Sequence, residues 1–150
     1  MKMSPELQRA QGNMTPGGIT ADGFMGDDHR ALVDIIEADE ERFQSLGLSF
    51  EGTSEKMARL LAQGRKGLGE PTTVDERWLV KVDEARGFLP CPFEDGIFRK
   101  ITATVTHKLS QSTISYSELS LHLLEAHHFL EGKGSPFRLE PEALKQVLEL

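Results

Sequence analysis

The chain is poor in the residues that staple or anchor a protein. It has one cysteine, Cys91, in 150 residues. No disulfide can form within the chain, and no cluster of cysteines can hold a zinc ion. This usage suits a reducing cytosol, and a cytoplasmic location is the expectation. No apolar run approaches the ~20 residues that cross a bilayer, so no membrane partner is expected. The opening MKMSPELQRAQGN lacks the apolar centre of a secretory signal. Positive charge is also scarce, with 17 Lys and Arg against 24 Asp and Glu and a formal net charge of −7. That balance disfavours nucleic acid and anionic membrane surfaces as partners, because both attract a basic field.

What is present reads as one ordinary globular domain. A hydrophobic fraction of 38% and a charged fraction of 27% are enough for a real core. Residues 1–26 hold Pro5, Gly12, Pro16, Gly17, Gly18, Gly23 and Gly26 with little periodicity. They are expected to form a flexible or partner-docking arm, anchored at its end by Ile19, Phe24 and Met25. Residues 27–150 are expected to form a single α+β domain. Asp27 or Asp28 caps a first helix with Leu32, Ile35, Ile36, Phe43 and Leu46 facing inward and Gly47 as its stop. Ser49 caps a second, carrying Phe50, Met57, Leu60 and Leu61. The pair makes an αα-hairpin, and Gly64-Arg-Lys-Gly-Leu-Gly-Glu-Pro71 ends it.

The period then changes. Trp78, Val80 and Val82 alternate, as do Ile101, Ala103 and Val105. Gly87 breaks the first run, and the prolines of Phe88-Leu-Pro-Cys-Pro-Phe93 point to an edge or a structured loop. Thr113–Ser115 returns as a short strand. Ser115 and Glu118 have capping-box spacing, with Ile114 and Leu119 as a staple. They predict a helix from about Tyr116 to Glu131, stopped by Gly132. Phe137–Leu139 adds a short strand, and Pro141 opens a last helix. Segregated helices and strands favour an α+β fold: an N-terminal αα-hairpin, a small antiparallel sheet and C-terminal helices.

Titratable groups concentrate in Ile114–Leu139. His127 and His122 border the apolar face of the expected helix on opposite sides, and His128 points elsewhere. His122 lies one turn from Glu118 and Glu125, and Glu125 with His128 is the best local pair. His122 and His127 diverge by roughly 140° and are not expected to chelate one ion together. No metal ligand set and no cofactor is therefore assigned. Cys91 between two prolines is a candidate nucleophile if a cation lowers its pKa, and His107 at a strand end is a candidate partner. Gly132-Lys-Gly-Ser135 is no Walker loop, but its amides can form an anion nest. Lys133, Ser135 and Arg138 are thus the candidate ligand-binding residues for a small anionic ligand. The alternative for Arg138 is pairing with Glu131, Glu140 or the acidic first helix.

Two segments, Arg86-Gly-Phe-Leu-Pro-Cys-Pro and His127-His-Phe-Leu-Glu-Gly-Lys-Gly-Ser-Pro-Phe-Arg138, together resemble a family of uncharacterised bacterial cytosolic proteins, from about Gly18 to the C-terminus. The resemblance implies a bacterial cytosolic origin and carries over no catalytic residue. With no complete catalytic motif, the leading expectation is a non-enzymatic interaction or regulatory domain, homo-oligomeric through its arm. Enzyme activity is left open. The alternative is a small-molecule or anion-binding protein, or a hydrolytic enzyme, with a site near residues 116–138 drawing on Cys91, His107, His122, His127, His128, Lys133 and Arg138. A helix-turn-helix DNA binder over residues 30–64 comes last, since its first helix is acidic.

Overall fold

Alternating apolar residues after Thr72 build the sheet. The computed structural model describes residues 2–150; Met1, the first residue of the expected arm, lies outside them. Strands β1 (Thr72–Val74), β2 (Trp78–Pro90), β3 (Ile97–His107) and β4 (Thr113–Ser117) form an antiparallel meander in the order β1-β2-β3-β4. Val80 and Val82 of β2 and Ile101, Ala103 and Val105 of β3 point to one face and are buried. The helices are α1 (Pro5–Asn13), α2 (Leu32–Leu46), α3 (Phe50–Arg65), α4 (Glu118–His127) and α5 (Pro141–Leu148). The architecture is α+β, as the segregated pattern predicts.

The arm is the first departure. Ser4 caps α1, its hydroxyl accepting from the Leu7 amide at 3.1 Å, and Pro5 starts the helix. Ala10 and Met14 are fully buried, with Met3 and Leu7 packed beside them. Phe24 joins the same cluster, 3% exposed. The apolar anchors of residues 3–25 are thus spent on this chain's own domain. No side chain of residues 27–31 caps α2. Its first amide, that of Leu32, donates instead to Gln11 Oε1 of α1 at 2.9 Å. The segment expected to be loose thus satisfies a donor that would otherwise be orphaned.

Three boundaries also move. β2 does not break at Gly87. It bulges between Glu84 and Phe88 and continues to Pro90, pairing with Ile97. Because β1 spans only the other end of β2, this half is an edge, where proline costs no ladder bond. α4 starts later and stops earlier than the capping pattern predicts. Ile114 and Tyr116 are drawn into β4, so Ser117 is the cap and Ser120 completes the box. The chain then turns at His128, which takes the left-handed conformation (φ 52°), rather than at Gly132. Phe137–Leu139 forms no strand.

Gly64 lies inside α3 rather than ending it. A Cβ there would sit 2.5 Å from Val80 Cγ1 and 2.8 Å from Val82 Cγ2. The missing side chain lets α3 lie against the sheet, where Met57 and Leu60 are fully buried. Gly64→Ala is therefore expected to lower the unfolding free energy by about 1–3 kcal/mol through overpacking. Gly12→Ala in α1, where nothing lies within 4 Å, should raise it by roughly 0.5–1 kcal/mol through helix propensity. Urea denaturation of both variants checks this, and a Gly64→Ala protein as stable as the parent would refute the close contact.

Candidate metal centre

The β2–β3 hairpin carries its tip onto α4. Within residues 91–96 the Cys91 amide donates to the Gly96 carbonyl and the Glu94 amide to the Cys91 carbonyl, both at 2.9 Å. The Asn13 side-chain amide donates to the Pro92 carbonyl at 2.8 Å, so α1 braces the tip from behind. This turn presents Cys91 and Asp95 toward the two edges of the α4 stripe.

Cys91, Asp95, His122 and His127 converge there. One ligand atom from each lies within 4.8 Å of all the others. His122 Nε2 meets Asp95 Oδ1 at 3.0 Å and His127 Nε2 meets Asp95 Oδ2 at 2.7 Å, so one carboxylate spans both imidazoles. The Cys91 sulfur lies within 4.8 Å of the same carboxylate. The expected divergence of the two histidines is thus corrected. At about 100° per residue, Leu119 and Leu123 fall on the arc between them, and both are buried in the cluster that holds Cys91. The hairpin tip lies over that arc, and the histidines close on it from either side.

Aromatic rings hold the imidazoles. Phe93 stacks on His127 with centroids 3.9 Å apart, and Phe98 packs on His122 at 4.4 Å. The His122 and His127 rings meet edge to face at 5.2 Å. Cys91 is 1% exposed, and burial, reinforced by the Asp95 carboxylate, pushes its thiol up to about 12. Such a thiol is a poor nucleophile at neutral pH, and it agrees with a structural rather than a nucleophilic Cys91. Burial pushes Asp95 upward, but the Cys91, His122 and His127 hydrogen bonds outweigh it and hold the carboxyl well below its usual range. Burial lowers His127 against the opposing pull of Asp95.

The other candidates lie elsewhere. His107 is at the far end of β3, about 30 Å from the tip at ~3.3 Å per residue. Its Nε2 bonds Glu149 Oε2 at 2.5 Å while Nδ1 accepts from the Leu109 and Ser110 amides, which closes the β3–β4 turn. His128 stacks on Phe50 and bonds Glu40 at 2.7 Å, not Glu125. Glu118 goes to Arg99. Arg138 is bidentate to Asp39, at 2.6 and 2.9 Å, and also reaches Glu140 and the Glu131 carbonyl. Both side chains of the Arg138–Asp39 pair are 7% exposed, so this arginine is committed to the acidic helix and cannot clamp an anion. The Gly-Lys-Gly-Ser turn is likewise occupied. Asp28 accepts from the Lys133 amide, the Asp27 amide donates to the Lys133 carbonyl, and Ser135 donates to Glu131. Its carboxylate neighbours are the opposite of what an anion nest offers. Sequence reasoning missed Asp95 altogether; its signal is the Cys-x-x-x-Asp spacing at a hairpin tip, visible only once Cys91 is read as a ligand.

The Asp28 contact gives a signed prediction. Its side chain, 3% exposed, accepts from Arg30 Nη2 at 2.6 Å and Nε at 2.8 Å. Those bonds, against the cost of burial, hold its carboxyl below the usual value of 3.8. A depressed folded pKa contributes stability that is present above the unfolded pKa and lost as pH falls through the folded one. Asp28→Asn should therefore cost about 1–2 kcal/mol near neutral pH. The gap between the two proteins should narrow as pH drops below about 4. Chemical denaturation across pH measures it, and a gap that stays constant into acid would contradict the assignment.

A scan against protein-family models, a search of curated proteins and a search of solved structures each return no match. The chemistry of the centre is therefore read from its own four side chains.

Proposed function

We propose that this protein binds a divalent transition-metal ion, zinc in the first instance, at Cys91, Asp95, His122 and His127, and that the ion clamps the β2–β3 tip to α4 as a structural centre. One observation carries the reading: four donor atoms from two elements remote in sequence lie within 4.8 Å of one another. A tetrahedral ion with bonds of about 2.0–2.3 Å needs its donors about 3.3–3.8 Å apart. The contraction required is that of side chains on a hairpin turn. One sulfur, two imidazole nitrogens and one carboxylate oxygen suit a borderline cation. Calcium and magnesium prefer all-oxygen sets, which this is not. Four protein donors fill a tetrahedral shell and leave no position for substrate, the pattern of structural rather than catalytic zinc. A saturated centre agrees with a non-enzymatic interaction or regulatory role. The single cysteine excludes a cysteine cluster but not this mixed set.

Purified protein, stripped with chelator and titrated with zinc, should take up about one ion per chain and gain about 3 kcal/mol of stability at a hundredfold excess over the dissociation constant. Cobalt in place of zinc should give the intense visible bands of a tetrahedral site with a thiolate charge-transfer band, lost in Cys91→Ser. Absence of metal uptake, or uptake unchanged in both Cys91→Ser and His127→Gln, would overturn the proposal.

A further inference from the structure

A second site lies apart from the metal ligands. On the sheet face opposite α3, the cross-strand pair Thr102 and Ser117 forms the floor of a cavity of ≈ 250 Å³. The N-terminal segment 20–24 and the turn at Pro136 and Phe137 roof it, and Phe24, Leu89 and Leu119 give it apolar walls. None of the four proposed metal ligands lines it. The volume lies just below the usual range of about 300–1,000 Å³ for small-molecule sites, which are mostly apolar with a few placed polar groups.

The placed group is Glu131. It is 5% exposed, lines the cavity and has the left-handed backbone (φ 69°) that side chains adopt only at a cost. Ser135 donates to Oε1 at 2.6 Å, and among the described residues no donor reaches Oε2. The neighbouring Arg138 guanidinium bonds the Glu131 carbonyl, not its carboxylate. Burial, opposed by Ser135 and Arg138, pushes the carboxyl up to about 7. A buried carboxylate with a free oxygen in an apolar chamber calls for a cationic donor. The one lysine on the lining, Lys100, is exposed at the rim.

We infer that this cavity binds a small primary amine with an apolar body, its ammonium donating to Glu131 and its hydrocarbon part lying against Phe24, Leu89 and Leu119. At the rim Asp22 offsets Lys100, and at the buried end Glu131 stands alone, so an anionic ligand would be repelled where it is most enclosed and the site selects a cation. The inference does not rest on the metal proposal.

Calorimetric titration of the full chain with 2-phenylethylamine, 2-phenylethanol and 3-phenylpropionate tests it. Saturable binding of the amine, at least ~10-fold tighter than the alcohol, with no binding of the acid, is expected. Glu131→Gln should abolish that preference. Ala21→Phe, a change at an exposed rim position, should block the amine while leaving the core intact. Equal binding of amine and alcohol would reduce the site to an apolar hole and overturn the inference. So would preference for the acid, no saturable binding at all, or undiminished amine binding in folded Ala21→Phe.

Discussion

The register of β2 against β3 governs everything else in this molecule. Trp78 faces His107 at one end and Pro90 faces Ile97 at the other. A slip of one residue would turn either Val80 and Val82 or Ile101, Ala103 and Val105 out of the core. The same register decides what the two ends can do. At the first, Trp78 inserts into the core and donates through Nε1 to the Val147 carbonyl at 2.6 Å, fixing α5. At the second, the hairpin extends beyond β1 and delivers Cys91 and Asp95 to α4. The bulge between Glu84 and Phe88 sits between these ends. A bulge bends its strand and raises local twist, which suits a hairpin that packs on α3 with one half and reaches α4 with the other.

A second layer of order comes from charges arranged around chain reversals. The 24–28 segment and the 132–135 turn lie against each other backbone to backbone. The Gly132 amide donates to the Phe24 carbonyl and the Asp27 amide to the Lys133 carbonyl, each at 2.8 Å. A Cβ on Gly132 would fall 2.2 Å from the Met25 carbonyl oxygen, and one on Gly26 would fall 2.3 Å from the Ser135 amide. Glycine is thus required here for close approach, not for an anion. Asp28 and Arg30 seal one side of this junction. Asp39, Arg138 and Glu140 seal the other. Removing one partner of the nearly buried Arg138–Asp39 pair would leave an uncompensated charge, which costs more than the pair contributes. That constraint keeps the acidic first helix, the turn and the N-terminal segment together as one body.

Local signals carried most of the fold. Ser49, Gly47 and Pro141 stand where caps, stops and first-turn prolines belong, because those roles depend on neighbours one turn away. The misreadings share another cause. Ser115 and Ser117 both suit an N-cap, and only the pairing of β4 with β3 chooses between them. His128 ends α4 ahead of Gly132 because Phe129 and Leu130 must enter two different core clusters. The stripe Met3, Leu7, Ala10, Met14 was present in the sequence but was masked by the surrounding glycines and prolines. In the site, Cys91, His122 and His127 were recognisable as chemistry-bearing residues. Their meeting was not, since Asp95 and His127 are separated by 32 positions and no local period spans that distance.

If Cys91, Asp95, His122 and His127 hold an ion as proposed, their geometry sets what binding would change. Asp95 is the shared carboxylate, its Oδ1 3.0 Å from His122 Nε2 and its Oδ2 2.7 Å from His127 Nε2. The proposed cation would take these side chains as ligands. The Cys91 thiol would give up its proton, the two imidazoles would present lone pairs at Nε2, and the Asp95 carboxylate would be one donor among four. The rings of Phe93 and Phe98, packed on His127 and His122, hold the two imidazole planes in place. The β2–β3 hairpin and α4, which carry these four side chains, also wall the Glu131 cavity. Leu89 lies two residues before Cys91 on β2, and Leu119 lies three before His122 on α4. Whatever stiffens the joint between hairpin tip and helix stiffens that wall as well, so the two sites share a mechanical frame while sharing no side chain.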